Sequence, residues 1–250
     1  MLALGIDIGG SGIKSAVVDT TIGEFVSPRV RTKTPAGLLP GQLTAIIREQ
    51  ADELDWHQGP VGIGFPGVIR ENCIQTAVNL GEPLVGLDLA GELRRELGGP
   101  IRVLNDADMA GFAEMRLGAG QPYAKSGTVL LLTIGTGIGT VLFNNGQLVP
   151  NLEFGHVELS GKNAESIVSE RARKTHGLSW KQWTRRFNQY LAHLSFLLQP
   201  DFIILGGGGV KKPEKFVDYL DLDTRWDFAR FGNRAGIVGA AIAAAEKAGA

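Results

Sequence analysis

The stretch Leu2-Ala3-Leu4-Gly5-Ile6-Asp7-Ile8-Gly9-Gly10-Ser11-Gly12-Ile13-Lys14-Ser15-Ala16-Val17-Val18-Asp19 decides how this chain is read. An apolar run ends near an acidic residue, a glycine-rich turn follows, and a second apolar run returns. That order predicts two antiparallel strands joined by a tight hairpin. The pattern recurs at Val129-Leu130-Leu131-Leu132, then Thr133-Ile134-Gly135-Thr136-Gly137-Ile138-Gly139-Thr140, then Val141-Leu142-Phe143. From Asp7 to Thr133 the offset is 126 positions in a chain of 250. A half-length repeat predicts two similar domains facing one another across a cleft.

Outward from the hairpins the chain alternates. Apolar spacing predicts helices over 41–54, 87–97, 108–117, 164–174, 179–198 and 236–247. Short apolar runs predict strands over 61–65, 101–104 and 201–205. This is an α/β fold with mostly parallel pairing, opened by antiparallel hairpins. Glycine is in excess, at 35 of 250 residues, without the G-X-Y period of collagen. Net charge is −1, which argues against a nucleic-acid partner. The lone Cys73 excludes a disulfide framework and fits a reducing, cytoplasmic compartment. Asp7 interrupts the first apolar stretch and no basic segment precedes it, so no signal peptide is expected. The uncharged stretch 126–146 is broken by glycine, threonine and asparagine and reads as strands and turns, not as a membrane span.

Three glycine clusters follow predicted strands, and backbone N–H groups in such turns converge on anions. The phosphate-binding candidates are Gly9, Gly10, Ser11, Gly12 and Lys14 in the first, Thr136 and Gly137 in the second, and Gly207 and Gly208 in the third. Neither a P-loop nor a Rossmann fingerprint is present. Asp7, beside the first cluster, suits Mg²⁺ directly or through water, or an Asx-type turn. In Asn105-Asp106-Ala107-Asp108, Asp108 is placed for an N-cap. Asp106 is placed where open α/β sheets receive ligands, and could accept a hydroxyl proton. Glu153-Phe154-Gly155-His156-Val157-Glu158 suits a polyol contact or an exposed turn. It lacks the cysteine pair of a zinc deaminase, and no G-x-S-x-G marks a hydrolase. Residues 162–186 carry seven Lys and Arg against Glu165 and Glu170, a local charge of +5 that suits a polyanion or a solvated helix face.

Taken in order, these motifs resemble the ROK sugar kinases of the actin-like (ribonuclease H-like) superfamily. Asp7-Ile8-Gly9-Gly10 is similar to that family's first phosphate loop and Gly135-Thr136-Gly137-Ile138-Gly139 to its second. Gly62-Ile63-Gly64-Phe65-Pro66-Gly67 and Asn79-Leu80-Gly81 resemble its sugar-side turns, Asn105-Asp106-Ala107 its catalytic segment, and Glu153-x-Gly155-His156 its sugar-binding motif. The resemblance implies Asp106 as base for a sugar 6-hydroxyl, with Asn79, Asn105, Glu153, His156 and Glu165 binding sugar hydroxyls. The family's cluster of one His and three Cys has no counterpart after His156, so zinc is not expected. That loss, with Gly161-Lys162-x-Ala164-Glu165 and Gly236-Ile237-Val238-Gly239-Ala240-Ala241, resembles the polyphosphate-dependent glucokinase branch. No helix-turn-helix precedes the phosphate loop, which argues against a repressor.

The expectation is therefore an actin-like fold, with 1–115 plus 236–250 as one domain and 116–235 as the other. Its activity would be transfer of phosphoryl from polyphosphate, or also from ATP, to glucose with Mg²⁺. The resemblance implies a homodimer. The alternatives are an ATP-dependent glucokinase or other hexokinase, and a sugar sensor without catalysis.

Overall fold

The computed structural model describes residues 1–77 and 80–249. The chain forms two compact units, Met1–Leu117 with Asn233–Ala250, and Gly118–Gly232.

The first unit runs β1 (Leu2–Gly9), β2 (Gly12–Asp19), β3 (Glu24–Phe25), β4 (Val30–Thr32), α1 (Pro40–Glu53), β5 (Val61–Phe65), β6 (Ile69–Arg70), β7 (Cys73–Ile74), α2 (Leu89–Leu97), β8 (Ile101–Asn105) and α3 (Asp106–Leu117). The helix Ala235–Ala248 completes it. β1 and β2 pair antiparallel from Leu2 opposite Asp19 to Gly9 opposite Gly12, so the glycine hairpin forms as its sequence predicts. β1 then pairs parallel with β5, and β5 with β8. All five residues of β5 are buried, as in a strand covered on both faces. Leu43 and Ile47 of α1 and Leu89 and Leu93 of α2 share a core with Ile63 and Val103 of the sheet.

The last helix needs glycines on the sheet. Gly5 and Gly62 stand opposite each other on β1 and β5. A Cβ at Gly5 would run into the backbone carbonyl of Ile237, and one at Gly62 into that of Ala240. Gly239 meets the Met109 carbonyl of α3 in the same way. Helix backbone thus rests on strand and helix backbone, an approach that any side chain would block.

The second unit runs β9 (Thr128–Ile134), β10 (Ile138–Asn144), β11 (Gln147–Val149), β12 (Glu158–Leu159), β13 (Lys162–Asn163), α4 (Glu165–Val168), α5 (Glu170–Thr175), α6 (Trp180–Leu198), β14 (Phe202–Gly206) and β15 (Trp226–Phe228). β9 and β10 form the second hairpin, and β9 pairs parallel with β14 on its other side. α6 buries Trp183, Phe187, Tyr190, Leu191 and Leu194 in a core with Leu130, Leu132, Ile203 and Leu205. Trp183 and Phe187 stack with ring centroids 5.0 Å apart. Each unit thus carries a glycine-turned hairpin whose first strand pairs parallel with a later strand. The topology repeats along with the motif.

Most boundaries shift by one or two residues, and two departures from the sequence reading bear on the site. α3 starts at Asp106, not Asp108, because Asn105 takes the capping place: its Oδ1 accepts from the N–H of Ala107 at 2.9 Å and of Asp108 at 3.2 Å. Asp108 is therefore not the N-cap; it is buried inside the first turn. The helix expected over 164–174 is two short helices broken at Ser169, which is extended (ψ 161°) and whose Oγ accepts from the N–H of Ala172. Among the described residues no helix is long and apolar enough to cross a membrane.

Candidate active site

In the first unit, Gly10 and Ser11 are the two residues between the hairpin strands. The Oγ1 of Thr34 donates to the Gly9 carbonyl at 2.5 Å, and Arg31 Nη2 donates to the Ser11 carbonyl at 3.0 Å. Arg31 Nε lies 2.8 Å from where a Cβ on Gly12 would stand, so the guanidinium covers the turn. A cavity of about 380 Å³ opens there, lined by Gly10, Lys33, Thr34 and Gly37 among others. Arg31 and Lys33 escaped the sequence reading because only the antiparallel pairing of β4 with β2, which sets Arg31 opposite Lys14, brings them to the turn.

Asp7 stands opposite Lys14 across the same hairpin, and Lys14 Nζ donates to its Oδ2 at 2.7 Å. Both side chains are partly buried. Gly236 leaves room at the other oxygen: a Cβ there would lie 3.2 Å from Oδ1. Among the described residues no three of His, Cys, Asp and Glu gather closely enough to hold a metal ion. One carboxylate with an open side does not fit an all-protein cage. It does fit Mg²⁺, which keeps most of its waters and shares donor phosphates.

At the end of β8, Asn105 donates from Nδ2 to the Gly67 carbonyl at 3.1 Å while its Oδ1 caps α3. It ties the Gly62–Gly67 turn to the helix start. Asp106 is the first residue of α3, partly buried, with its Oδ1 accepting from the N–H of Ala107 at 2.8 Å. Its backbone packs near Gly64, where a Cβ would lie 3.4 Å from the Asp106 Cα. Asn79 lies outside the described residues.

In the second unit, Gly135, Thr136 and Gly137 join β9 to β10, with the Gly135 N–H donating to the Gly137 carbonyl at 2.9 Å. The Glu170 N–H at the start of α5 donates to the Gly135 carbonyl at 3.0 Å. Gly207 (φ +87°) abuts the Ile134 backbone, its Cβ position 2.6 Å from the Ile134 nitrogen. The second and third glycine clusters are therefore neighbours, a proximity that the 66 residues between Gly139 and Gly206 hide in the sequence. Glu170 also lies close to Gly208 and is ion-paired with Lys174 at 2.9 Å.

Glu165 reaches the same hairpin, its Oε2 accepting from the Ile138 N–H at 2.8 Å. The turn bearing Glu153 and His156 is sewn to β10 by Thr140, whose Oγ1 donates to the Leu152 carbonyl at 2.9 Å and accepts from the Phe154 N–H at 3.0 Å. Gly155 allows that approach, since a Cβ would meet the Ile138 carbonyl. His156 Nε2 is 3.8 Å from Glu153 Oε2. On the other side of the ring, Asn163 Nδ2 meets Nδ1 at 2.8 Å. An amide nitrogen only donates, so Nδ1 accepts and the proton of the neutral ring sits on Nε2. Partial burial raises the Glu153 pKa above the usual carboxylate range; His156 opposes this and the nearby Glu165 adds to it. Burial, with Glu165 again adding, raises the pKa of Tyr190, whose hydroxyl donates to the Phe154 carbonyl at 3.1 Å. Glu153, His156 and Glu165 thus meet beside the second glycine turn.

The ROK family model matches residues 3–167. The polyphosphate glucokinase of Mycobacterium tuberculosis (strain CDC 1551 / Oshkosh) is 39% identical over 240 residues, covering 96% of this chain and 89% of the relative. The crystal structure of the inorganic polyphosphate/ATP-glucomannokinase from Arthrobacter sp. strain KM is similar at 39% identity with TM-score 0.87, covering 98% of this chain and 99% of that one. A ROK family glucokinase from Streptomyces griseus, solved with glucose and AMPPNP, follows the chain with TM-score 0.80 at 25% identity, covering 98% of this chain and 100% of that one. The α/β chain has the actin-like kinase fold of these relatives and belongs to the ROK family.

Proposed function

We propose that this protein is a glucokinase that transfers a phosphoryl group from inorganic polyphosphate to the 6-hydroxyl of glucose and also accepts ATP. The observation that carries the sugar-kinase reading is the gathering of Glu153, His156 and Glu165 beside a glycine phosphate turn. The polyphosphate reading rests on relatives named as polyphosphate glucokinases at 39% identity over 96% of the chain.

In this mechanism Asp106 takes the proton from the sugar 6-hydroxyl. The freed oxygen forms the new P–O bond as the bridging P–O bond of the donor breaks, leaving polyphosphate one unit shorter, or ADP. His156 donates from Nε2 to a sugar hydroxyl, and Glu153 and Glu165 accept from others. Asn105 and Asn79 complete the sugar contacts, with Asn105 also holding the base at the helix start. Backbone N–H groups at Gly9, Gly10, Ser11 and Gly12, at Thr136 and Gly137, and at Gly207 and Gly208 receive donor phosphates, with Lys14 close by. Asp7 would hold Mg²⁺, directly or through water, and the ion supplies positive charge to the donor oxygens when bound. The working form is a cytoplasmic homodimer.

Streptomyces griseus glucokinase was solved with AMPPNP, an ATP analogue by its chemistry, and this favours strict ATP dependence as the second reading. A matrix of donors and sugars with Mg²⁺ separates the two. Glucose 6-phosphate from polyphosphate is expected, and product from ATP alone would establish the second reading. Asp106→Ala should lower kcat by about 10²–10⁴-fold with both donors. Calorimetry should still detect its glucose binding. Near-normal turnover would remove Asp106 as the base.

A further inference from the structure

A second cavity, of about 440 Å³, lies within the second unit. None of the residues assigned above to glucose or donor phosphate lines it. Lys162 of β13, His176 after α5, Arg186 and Gln189 of α6, and Ser160 and Ser166 form its polar wall. Among the described residues no carboxylate lines it.

The cations of the 162–186 stretch have different fates. Arg173 lies over the Trp180 ring at 4.0 Å, Lys181 lies over Tyr219 at 5.7 Å, and Lys174 is paired with Glu170. Lys162, Arg171, Arg185 and Arg186 have no side-chain hydrogen bond, ion pair or ring partner among the described residues, and of these Lys162 and Arg186 line the cavity. Lys162 is exposed and Arg186 partly buried, so an anion entering the cavity can meet both cations on its wall. The Ser166 hydroxyl donates to the Asn163 carbonyl at 2.6 Å, which leaves a guanidinium fork, an ammonium, the Ser160 hydroxyl and the Gln189 amide as donors, a set that suits a tetrahedral oxyanion.

We propose that this cavity binds a phosphoryl anion at a site separate from the transfer chemistry. Its link to that chemistry is α4. Glu165 on that helix holds the Ile138 N–H of the second hairpin, and Ser166, the next residue, faces the cavity. The ligand is either free phosphate or a phosphate monoester, or the distal units of a polyphosphate chain.

Inorganic orthophosphate is the probe, titrated by calorimetry and ³¹P NMR into the full chain, the Lys162→Gln/Arg186→Gln double variant and Gln189→Glu. The double variant should lose one equivalent of bound phosphate, and Gln189→Glu, which adds a negative charge, should weaken that equivalent by about tenfold or more. Turnover with ATP should be unchanged in both, which shows that they fold. Equal stoichiometry and affinity in all three proteins, or no equivalent beyond the glycine turns in the unaltered chain, overturns the site. A rise in KM for long polyphosphate but not for tripolyphosphate in the double variant identifies distal donor units as the ligand. Loss of the orthophosphate equivalent with KM unchanged at every chain length identifies free phosphate or a monoester. The readout is binding and not turnover, so its failure leaves the glucokinase reading standing.

Discussion

Asn105 and Asp106 divide two jobs that the sequence set side by side. Asn105 uses both ends of its amide on backbone, one on Gly67 and the other on the first turn of α3. Asp106 thereby becomes the first helical residue, while Asp108, the expected cap, is buried. The sequence could not order these residues because Asn and Asp cap equally well. At Glu153 function and stability pull apart. Burial and Glu165 raise its pKa, so the ionised side chain costs folding stability. The sign follows from linkage: the cost is absent below the unfolded pKa of about 4.3 and complete above the raised folded value. Glu153→Gln should therefore raise Tm of the ligand-free protein at neutral pH, and the gain should vanish as the pH falls through about 4. Thermal unfolding across pH checks this. Under the proposed mechanism glucose KM should rise in the same variant, because the carboxylate assigned to accept from the sugar is gone.

Among the elements, the hairpins were the most legible, because glycine after an apolar run has few alternative readings. The helix over 164–174 was the least. Its apolar spacing is continuous, but the Ser169 hydroxyl offers the Ala172 N–H a partner and the chain breaks there. That break sets Glu165 at the start of one short helix and Glu170 at the start of the next, both touching the second glycine turn. Thr140 is the comparable joint on β10, and nothing in the sequence marks it, since its partners Leu152 and Phe154 are recognised only once the turn folds back. Thr140→Val keeps the shape and removes both hydrogen bonds. A loss of about 1–3 kcal/mol is expected in urea unfolding, together with a higher glucose KM as Glu153 and His156 lose their support. Unaltered KM would mean that the turn holds its position without Thr140.

On the scale of the whole molecule the chain is not divided at one point. The first unit takes residues from both ends of the sequence, with Ala235–Ala248 packed on its sheet and on α3. Truncation after Gly232 removes that cover from Gly5 and Gly62 and exposes a buried sheet face. Urea unfolding of the truncated chain should lack the first unit's transition and keep that of the continuous second unit, with no kinase activity left. Circular dichroism and steady-state assays check both. The glycine excess belongs to this scale too. Part of it lies in turns suited to phosphate, and part, at Gly5, Gly62 and Gly239, exists because helix backbone lies directly on strand and helix backbone.

By itself the sequence determined the α/β class, the repeated hairpins and the ROK resemblance. These are local patterns, and local sterics and hydrogen bonding enforce them wherever they occur. Only the tertiary structure decided which glycines serve packing, that Arg31 covers the first turn, that the second and third glycine clusters adjoin, and that Lys162 and Arg186 face one cavity. Each of those facts joins residues far apart in the chain, or turns side chains of one stretch to different faces. Pairing register and close backbone approach fix such relations, and neither is written in any single segment.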